Sequence, residues 1–284
     1  MRKRFLVSVL AAFALGTSVL AIPTSALAKD AGAVYDSIPN PLPGNLPSLG
    51  FEATSTSEFG NQITFDNGPR NLHQVTVTMS SWACQSGSWI DGTCFTAPGS
   101  TFAEPITLNL YNTPTSASFP RPGSLIVTMT ATFNIPYRPS ASTGCTNGGW
   151  GSSCFHGLAT NIVFDFDLMS GHIKLPDSIV YGIAYNTSDY GAVPQRPQPC
   201  NATPTGCPYD SLNVALSTDP TDLSAGSDPN SGTVFWNTSF AAFYCDGGVH
   251  GSGFFRLDSP GAGCWSFGSP NTLPAYVPAV EFSN

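Results

Sequence analysis

The chain has 284 residues, of which only 10% are charged, and its 18 acidic residues outnumber its 10 basic residues. A protein with so few and such scattered positive charges lacks the basic surface that nucleic acids and anionic membranes attract, so we expect neither as a partner. The length is sufficient for one large β domain or two small ones, with a self-sustaining core.

The N-terminus has the features of a secretory signal peptide. Residues 2–4 are Arg-Lys-Arg, an apolar stretch covers residues 5–22, and residues 26–28 (Ala-Leu-Ala) fit the small-x-small cleavage pattern. We therefore predict a signal peptide at residues 1–28 and a secreted, extracellular chain with no membrane span after cleavage. The mature chain would keep seven basic and eighteen acidic residues, a formal net charge of −11. The alternative is an uncleaved membrane anchor, which small and polar residues within the apolar stretch disfavour.

A Pro-rich segment follows at residues 29–47. Proline fixes φ and removes a hydrogen-bond donor, so we predict an extended N-terminal arm. Ile38, Leu42 and Leu46 are apolar, which favours an arm packed against the domain over a free linker.

From residue 48 onward, short segments alternate apolar and polar residues, and no segment has a sustained helical period. The predicted strands are residues 63–65, 75–79, 106–111, 125–133, 161–166, 179–185, 212–216, 234–236, 254–257 and 277–282. Segment 179–185 is apolar on both faces, which predicts a central strand. We predict an all-β fold, an antiparallel, jelly-roll-like β-sandwich, as a single domain at residues 48–284.

The eight cysteines fall into four neighbouring pairs. These pairs are Cys84/Cys94, Cys145/Cys154, Cys200/Cys207 and Cys245/Cys264. An even number of cysteines in an exported chain indicates disulfide bonds. The sequence permits many pairings, but short loops close at low entropic cost, so we favour nearest-neighbour disulfides that staple the loops. The spacings differ from the short Cys-x-x-Cys knuckles of zinc sites.

Several segments resemble one group of bacterial proteins. Residues 50–60 (GFEATSTSEFG), 106–111 (ITLNLY), 123–126 (GSLI) and 180–186 (VYGIAYN) are similar to strands of exported β-sandwich proteins of the PEP-CTERM or choice-of-anchor type. The resemblance implies the fold and export, and it implies no activity. The chain departs from the group because residues 280–284 carry no hydrophobic anchor tail.

Two tryptophans, Trp89 and Trp150, lie inside predicted disulfide loops. An aromatic ring on a rigid loop can stack on the apolar C–H face of a sugar, and Asp91 and Asn147 can hydrogen-bond its hydroxyls. We predict that these four residues bind a ligand. The alternative is that each tryptophan packs on its own disulfide and covers the core.

Asp219, Asp222 and Asp228 crowd one loop and supply the oxygen atoms that calcium prefers. They predict a structural calcium ion, although their spacing does not fit an EF-hand. The alternative is that these aspartates simply form turns. No other cofactor is predicted.

No motif in the chain specifies a reaction. The carboxylate pairs Glu52/Glu58 and Asp165/Asp167 are a weak basis for a secreted hydrolase that acts on polysaccharide. The leading prediction is a secreted, non-enzymatic protein that binds polysaccharide, other glycan or cell-envelope material as its partner. One alternative is the secreted polysaccharide hydrolase. The other is a structural surface or matrix protein without a small ligand.

Overall fold

A computed structural model describes residues 32–114, 121–167, 169, 173–195, 206–258 and 276–284. The predicted signal peptide, Cys200 and Cys264 lie outside these residues. Within the described ranges, no helix is long and apolar enough to cross a lipid bilayer.

The described residues form fifteen β-strands and three short 3₁₀ turns. The strands are β1 Ala33–Asp36, β2 Ser48–Gly50, β3 Thr56–Thr64, β4 Asn71–Leu72, β5 Gln74–Ser81, β6 Thr101–Asn112, β7 Leu125–Pro136, β8 Leu158–Asp165, β9 Ile173–Lys174, β10 Ser178–Tyr185, β11 Leu212–Ser217, β12 Val234–Thr238, β13 Arg256–Asp258, β14 Val277–Pro278 and β15 Val280–Ser283. The 3₁₀ turns are Pro208–Ser211, Pro220–Asp222 and Ala241–Phe243.

The strands are arranged in two large antiparallel sheets and one two-stranded ribbon. In the first sheet, β5 lies between β8 on one side and β11 and β15 on the other, while β1 pairs with β15 and β2 and β14 pair with β11. The second sheet has the order β13-β12-β3-β10-β6-β7, and β4 pairs with β9. This confirms the predicted antiparallel all-β fold, and it confirms that β10 is a central strand. The jelly-roll order of connections stays a prediction.

The hydrophobic core lies between the two large sheets. Alternate residues of β6, including Ile106, Leu108 and Leu110, are fully buried, as the pleat of a strand with one face on the core requires. Tyr181 of β10 and Phe282 of β15 join the sheets, with ring centroids 5.7 Å apart. Burial of such large apolar side chains is the main favourable contribution to folding.

The Pro-rich segment is part of this architecture. Its first described residues form β1, which pairs with the C-terminal strand β15 so that Ala33 lies opposite Ser283. Ile38 and Leu42 then pack against a small cluster around Leu46. Four residues are too few to show a periodic pattern, so the sequence did not predict β1 as a strand.

Two disulfides are complete within the described ranges, and both join nearest neighbours as predicted. Cys84 bonds to Cys94 and closes the first stapled loop, and Cys145 bonds to Cys154 and closes the second stapled loop. Cys207 is also disulfide-bonded, as is Cys245.

Both stapled loops leave the sandwich at one end, which we call the loop end. Tyr185 at the end of β10 pairs with Ile106 near the start of β6, and Ser81 at the end of β5 pairs with Leu158 and Leu212, where β8 and β11 begin. The Tyr185 hydroxyl donates a hydrogen bond to the Leu212 carbonyl and so joins the two sheets at this end. The described loop residues at this end are 51–55, 82–100, 137–157, 186–195, 206–211 and 239–255.

Candidate functional site

The two stapled loops pack against each other at the loop end. Gly92 of the first loop and Gly148 of the second both have φ +68°, in the left-handed region that favours glycine. A Cβ on Gly148 would lie 2.5 Å from the Gly92 Cα, so only glycine permits this approach. Asp91 and Asn147 precede these glycines, and the contact therefore brings the two predicted ligand residues together from separate loops.

A buried arginine holds the bases of both loops. Arg138 is 0% exposed, its backbone N–H donates to the Ala83 carbonyl at 2.9 Å, and its Nη2 donates to the Gly148 carbonyl at 2.6 Å. Burial lowers the pKa of this guanidinium. A buried cation needs acceptors, and here the carbonyls of Pro139 and Gly148 accept from Nε and Nη2, while Nη1 has no partner among the described residues. Arg138 thereby ties the second stapled loop to the strand that leads into the first.

Trp89 stands in a small aromatic cluster. Its ring packs edge-to-face on Trp82, with centroids 4.7 Å apart, and His156 stacks on Trp82 at 5.9 Å with a 14° angle between the rings. Trp82 is itself fixed, because its Nε1 donates to the Ser80 hydroxyl at 3.0 Å. Trp89 also lies 6.3 Å from the His156 ring, and it is half-buried.

Exposed side chains occur in the stapled loops and directly after the first of them. Ile90 is 66% exposed and Phe95 is 61% exposed, and Asp91 and Asn147 are also exposed. We call Trp89, Ile90, Asp91, Phe95 and Asn147 the aromatic rim. A contiguous exposed apolar patch on a soluble protein can mark a binding site, so the rim is a candidate for contact with a ligand.

Trp150 has a different environment. Its Nε1 donates to the Gly157 carbonyl at 2.8 Å, and its ring lies 5.4 Å from that of Phe155. Gly44 of the Pro-rich arm is packed on these two rings, because a Cβ there would lie 2.5 Å from Phe155 and 3.1 Å from Trp150. These contacts favour the packing alternative for Trp150.

The three aspartates predicted to bind calcium lie in the connection from β11 to β12, at the opposite end of the sandwich. Asp219 accepts hydrogen bonds from the backbone N–H and the hydroxyl of Thr221. Asp222 accepts one from the Ser217 hydroxyl, and Asp228 accepts one from the Asn61 amide. Over the described ranges, no three His, Cys, Asp or Glu side chains are arranged to hold a metal ion. Calcium stays a prediction, and a melting temperature raised by calcium and lowered by EDTA is its test.

The carboxylates considered for hydrolysis are engaged separately. Glu58 lies on the outer face of the second sheet, where its Oε1 accepts hydrogen bonds from the Asn109 amide and the Tyr111 hydroxyl, each at 2.9 Å. Burial raises the pKa of Glu58. Glu52 lies in a loop, and burial followed by the charge of Asp210 raises its pKa. The two glutamates therefore have different neighbours.

The aspartate pair forms local contacts. Asp165 Oδ1 accepts a hydrogen bond from the backbone N–H of Asp167 at 3.0 Å. Asp167 Oδ1 lies 2.9 Å from Nδ1 of His73, and both side chains are substantially exposed. This arrangement is typical of a solvated strand end.

Sequence reasoning missed one buried carboxyl group at the loop end. Glu104 is 1% exposed, on the inner face of β6, and its Oε1 has no hydrogen-bond partner among the described residues. Burial, followed by the negative charge of Asp210, raises the pKa of Glu104 to about 8. The sequence could have predicted this burial, because Glu104 lies two positions before Ile106 and therefore on the same, apolar face of the strand.

Comparison with known proteins adds no assignment. The chain matches no protein-family model, no curated protein and no solved structure. The aromatic rim and its supports therefore have to be interpreted from their own chemistry.

Proposed function

We propose that this protein is an exported, non-enzymatic β-sandwich that binds polysaccharide through the aromatic rim. The observation that supports the proposal is the contact between Gly92 and Gly148, because it brings together the backbones of the two loops that carry Asp91 and Asn147. The disulfides support a location in an oxidising compartment, which agrees with the signal peptide predicted at residues 1–28.

The rim combines the two kinds of contact that a sugar requires. Trp89 and Phe95 offer aromatic faces for the C–H side of a pyranose ring. Asp91 offers a carboxylate that only accepts hydrogen bonds, and Asn147 offers an amide that both donates and accepts, so together they match hydroxyl groups. Disulfides and the buried Arg138 hold these groups in place, which lowers the entropy lost on binding.

The first test is to replace Trp89 with alanine. Affinity electrophoresis of the oxidised, mature protein in gels that contain soluble polysaccharides should show wild-type retardation by at least one polymer. Trp89→Ala should weaken that binding by about 10-fold or more, because a packed tryptophan at the centre of a contact surface contributes strongly to affinity.

Leu125→Ala is the matched control, since Leu125 is 51% exposed and lies at the opposite end of the sandwich. It should bind as the wild type does. Equal binding by a folded Trp89→Ala variant would show that the rim is the wrong site. Absence of retardation of the wild type across the panel would refute the proposed function.

A further inference from the structure

The aromatic rim carries a single exposed formal charge, and that charge is negative. Across residues 82–100 and 137–157, which are fully described, the formally charged side chains are Asp91 and Arg138, with histidine neutral. Arg138 is fully buried and donates to backbone carbonyls, so it cannot meet a ligand. Only the Asp91 carboxylate faces solvent.

The other basic residues that the structure describes lie outside the two stapled loops. Arg70 and Arg121 lie in connections next to the end of β3 and the start of β7, and Lys174 lies in β9, which pairs with β4. The Arg121 guanidinium lies over the ring of Phe254, 3.9 Å from its centroid. Arg256, near the loop end, is 1% exposed and forms an ion pair with Asp246 at 2.8 Å. The remaining basic residues lie outside the described ranges, and these are Arg2, Lys3, Arg4, Lys29 and Arg196.

Acidic residues occur in the neighbouring loops of the same end. Glu52 lies in the turn before β3, and Asp189 and Asp210 lie between β10 and β11, whereas the charge of Asp246 is balanced by Arg256. A surface with charges of one sign produces a field that repels ligands of that sign before contact. The described part of the loop end therefore disfavours anionic ligands.

From this charge distribution we infer that the aromatic rim selects uncharged polysaccharides and rejects acidic ones. The inference rests on the proposed function and specifies its ligand class. Uronate, sulfate and phosphate groups are recognised by arginine or lysine through charge-assisted hydrogen bonds, and the rim offers no such donor. A neutral sugar can donate its hydroxyl protons to Asp91 and lay its C–H face on Trp89, with Ile90 and Phe95 extending the apolar contact.

The test compares neutral and acidic polymers on the full mature protein. Affinity electrophoresis would use uncharged soluble cellulose derivatives, glucomannan and mannan as neutral probes. Alginate and polygalacturonate would be the acidic probes, and each polymer would be tested at low and high salt. We expect retardation by a neutral polymer that changes little with salt, and no retardation by the acidic polymers. Salt should have little effect because no ion pair forms with a neutral ligand.

A charge-reversal variant sharpens the comparison. Asp91→Lys should weaken binding of the neutral polymer by several-fold and should create salt-sensitive retardation by alginate or polygalacturonate. Asp66→Lys makes the same charge change at an exposed position beyond the end of β3, away from the loop end, and should create neither effect.

The possible outcomes separate this inference from the proposed function. Retardation of the wild type by acidic polymers, in preference to neutral ones, would overturn the inference while leaving polysaccharide binding in place. Identical behaviour of Asp91→Lys and Asp66→Lys would also overturn it, since the rim would then not determine the ligand's charge. Absence of binding to polymers of either class would refute the proposed function itself.

Discussion

As the pH rises from 4.5 to about 8, Glu104 should lower the free energy of unfolding of the wild-type protein by on the order of 4 kcal/mol. The Glu104→Gln variant should lack this decrease. Glu104 is buried on the inner face of β6, near Tyr185, Tyr209 and Asp210. The folded state therefore holds its proton to a higher pH than the unfolded chain does.

The sign follows from the protons bound in each state. Between pH 4.5 and about 8 the folded protein keeps the Glu104 proton while the unfolded chain releases it, so stability decreases as the pH rises. Above about pH 8 both states are ionised and this contribution levels off. The pKa values of Glu52, Glu58 and Asp228 are also raised by burial, so a smaller slope of the same sign should remain in the variant.

Urea unfolding at several pH values from about 5 to about 8 measures this effect. Asp66→Asn, which removes an exposed carboxylate far from the loop end, is the control and should retain the wild-type slope. If Glu104→Gln loses stability with pH as steeply as the wild type, Glu104 is ionised in the folded protein and the buried, protonated state is wrong.

The second prediction concerns the contact between the stapled loops. Gly148→Ala should weaken polysaccharide binding by about 10-fold or more, since the added Cβ would lie 2.5 Å from the Gly92 Cα and force the loops apart. A left-handed backbone alone costs an alanine about 1–2 kcal/mol. The core between the sheets is untouched, so the melting temperature should fall by only a few degrees while the affinity for the polysaccharide falls about 10-fold or more.

The Gly151→Ala variant separates the effect of the clash from the effect of the left-handed backbone. Gly151 lies in the same stapled loop with φ +69°, but a Cβ there would meet no atom within 4 Å. It carries the same backbone cost without the clash, and it should keep most of the binding. Affinity electrophoresis and thermal melting of both variants provide the measurements. Equal losses from Gly148→Ala and Gly151→Ala would mean that the approach of the loops does not position the rim.

Strands with one face on the core were largely predictable from the sequence. Their alternation is a direct consequence of the pleat, so the segments around Val77, Ile106 and Ile162 were assigned correctly. The beginning of β3 was missed, because Glu58 and Gly60 interrupt the apolar pattern. Glu58 lies there because its carboxyl group binds polar side chains across the sheet, which a local pattern cannot show.

The site was only partly predictable. The residue types and the stapled loops pointed to Trp89, Asp91 and Asn147, since disulfide spacing and loop composition are local properties. The sequence could not distinguish Trp89 from Trp150, because the difference arises from distant partners. Trp150 is packed by an arm more than a hundred positions earlier in the chain, whereas the aromatic contacts of Trp89 are with Trp82 and His156 at the bases of the stapled loops.

The pairing of β1 with β15 determines how the molecule would be presented on a support. Ala33 lies opposite Ser283, and the N–H of Asn284 donates to the Gly32 carbonyl at 3.1 Å, so the two ends of the described domain are adjacent. Ser283 pairs with Gln74, where β5 begins, at the end of the sandwich away from the stapled loops. A tether joined to either end would therefore display the protein with its aromatic rim directed outward. Immobilisation through a terminal tag should leave the rim free to meet an insoluble polymer.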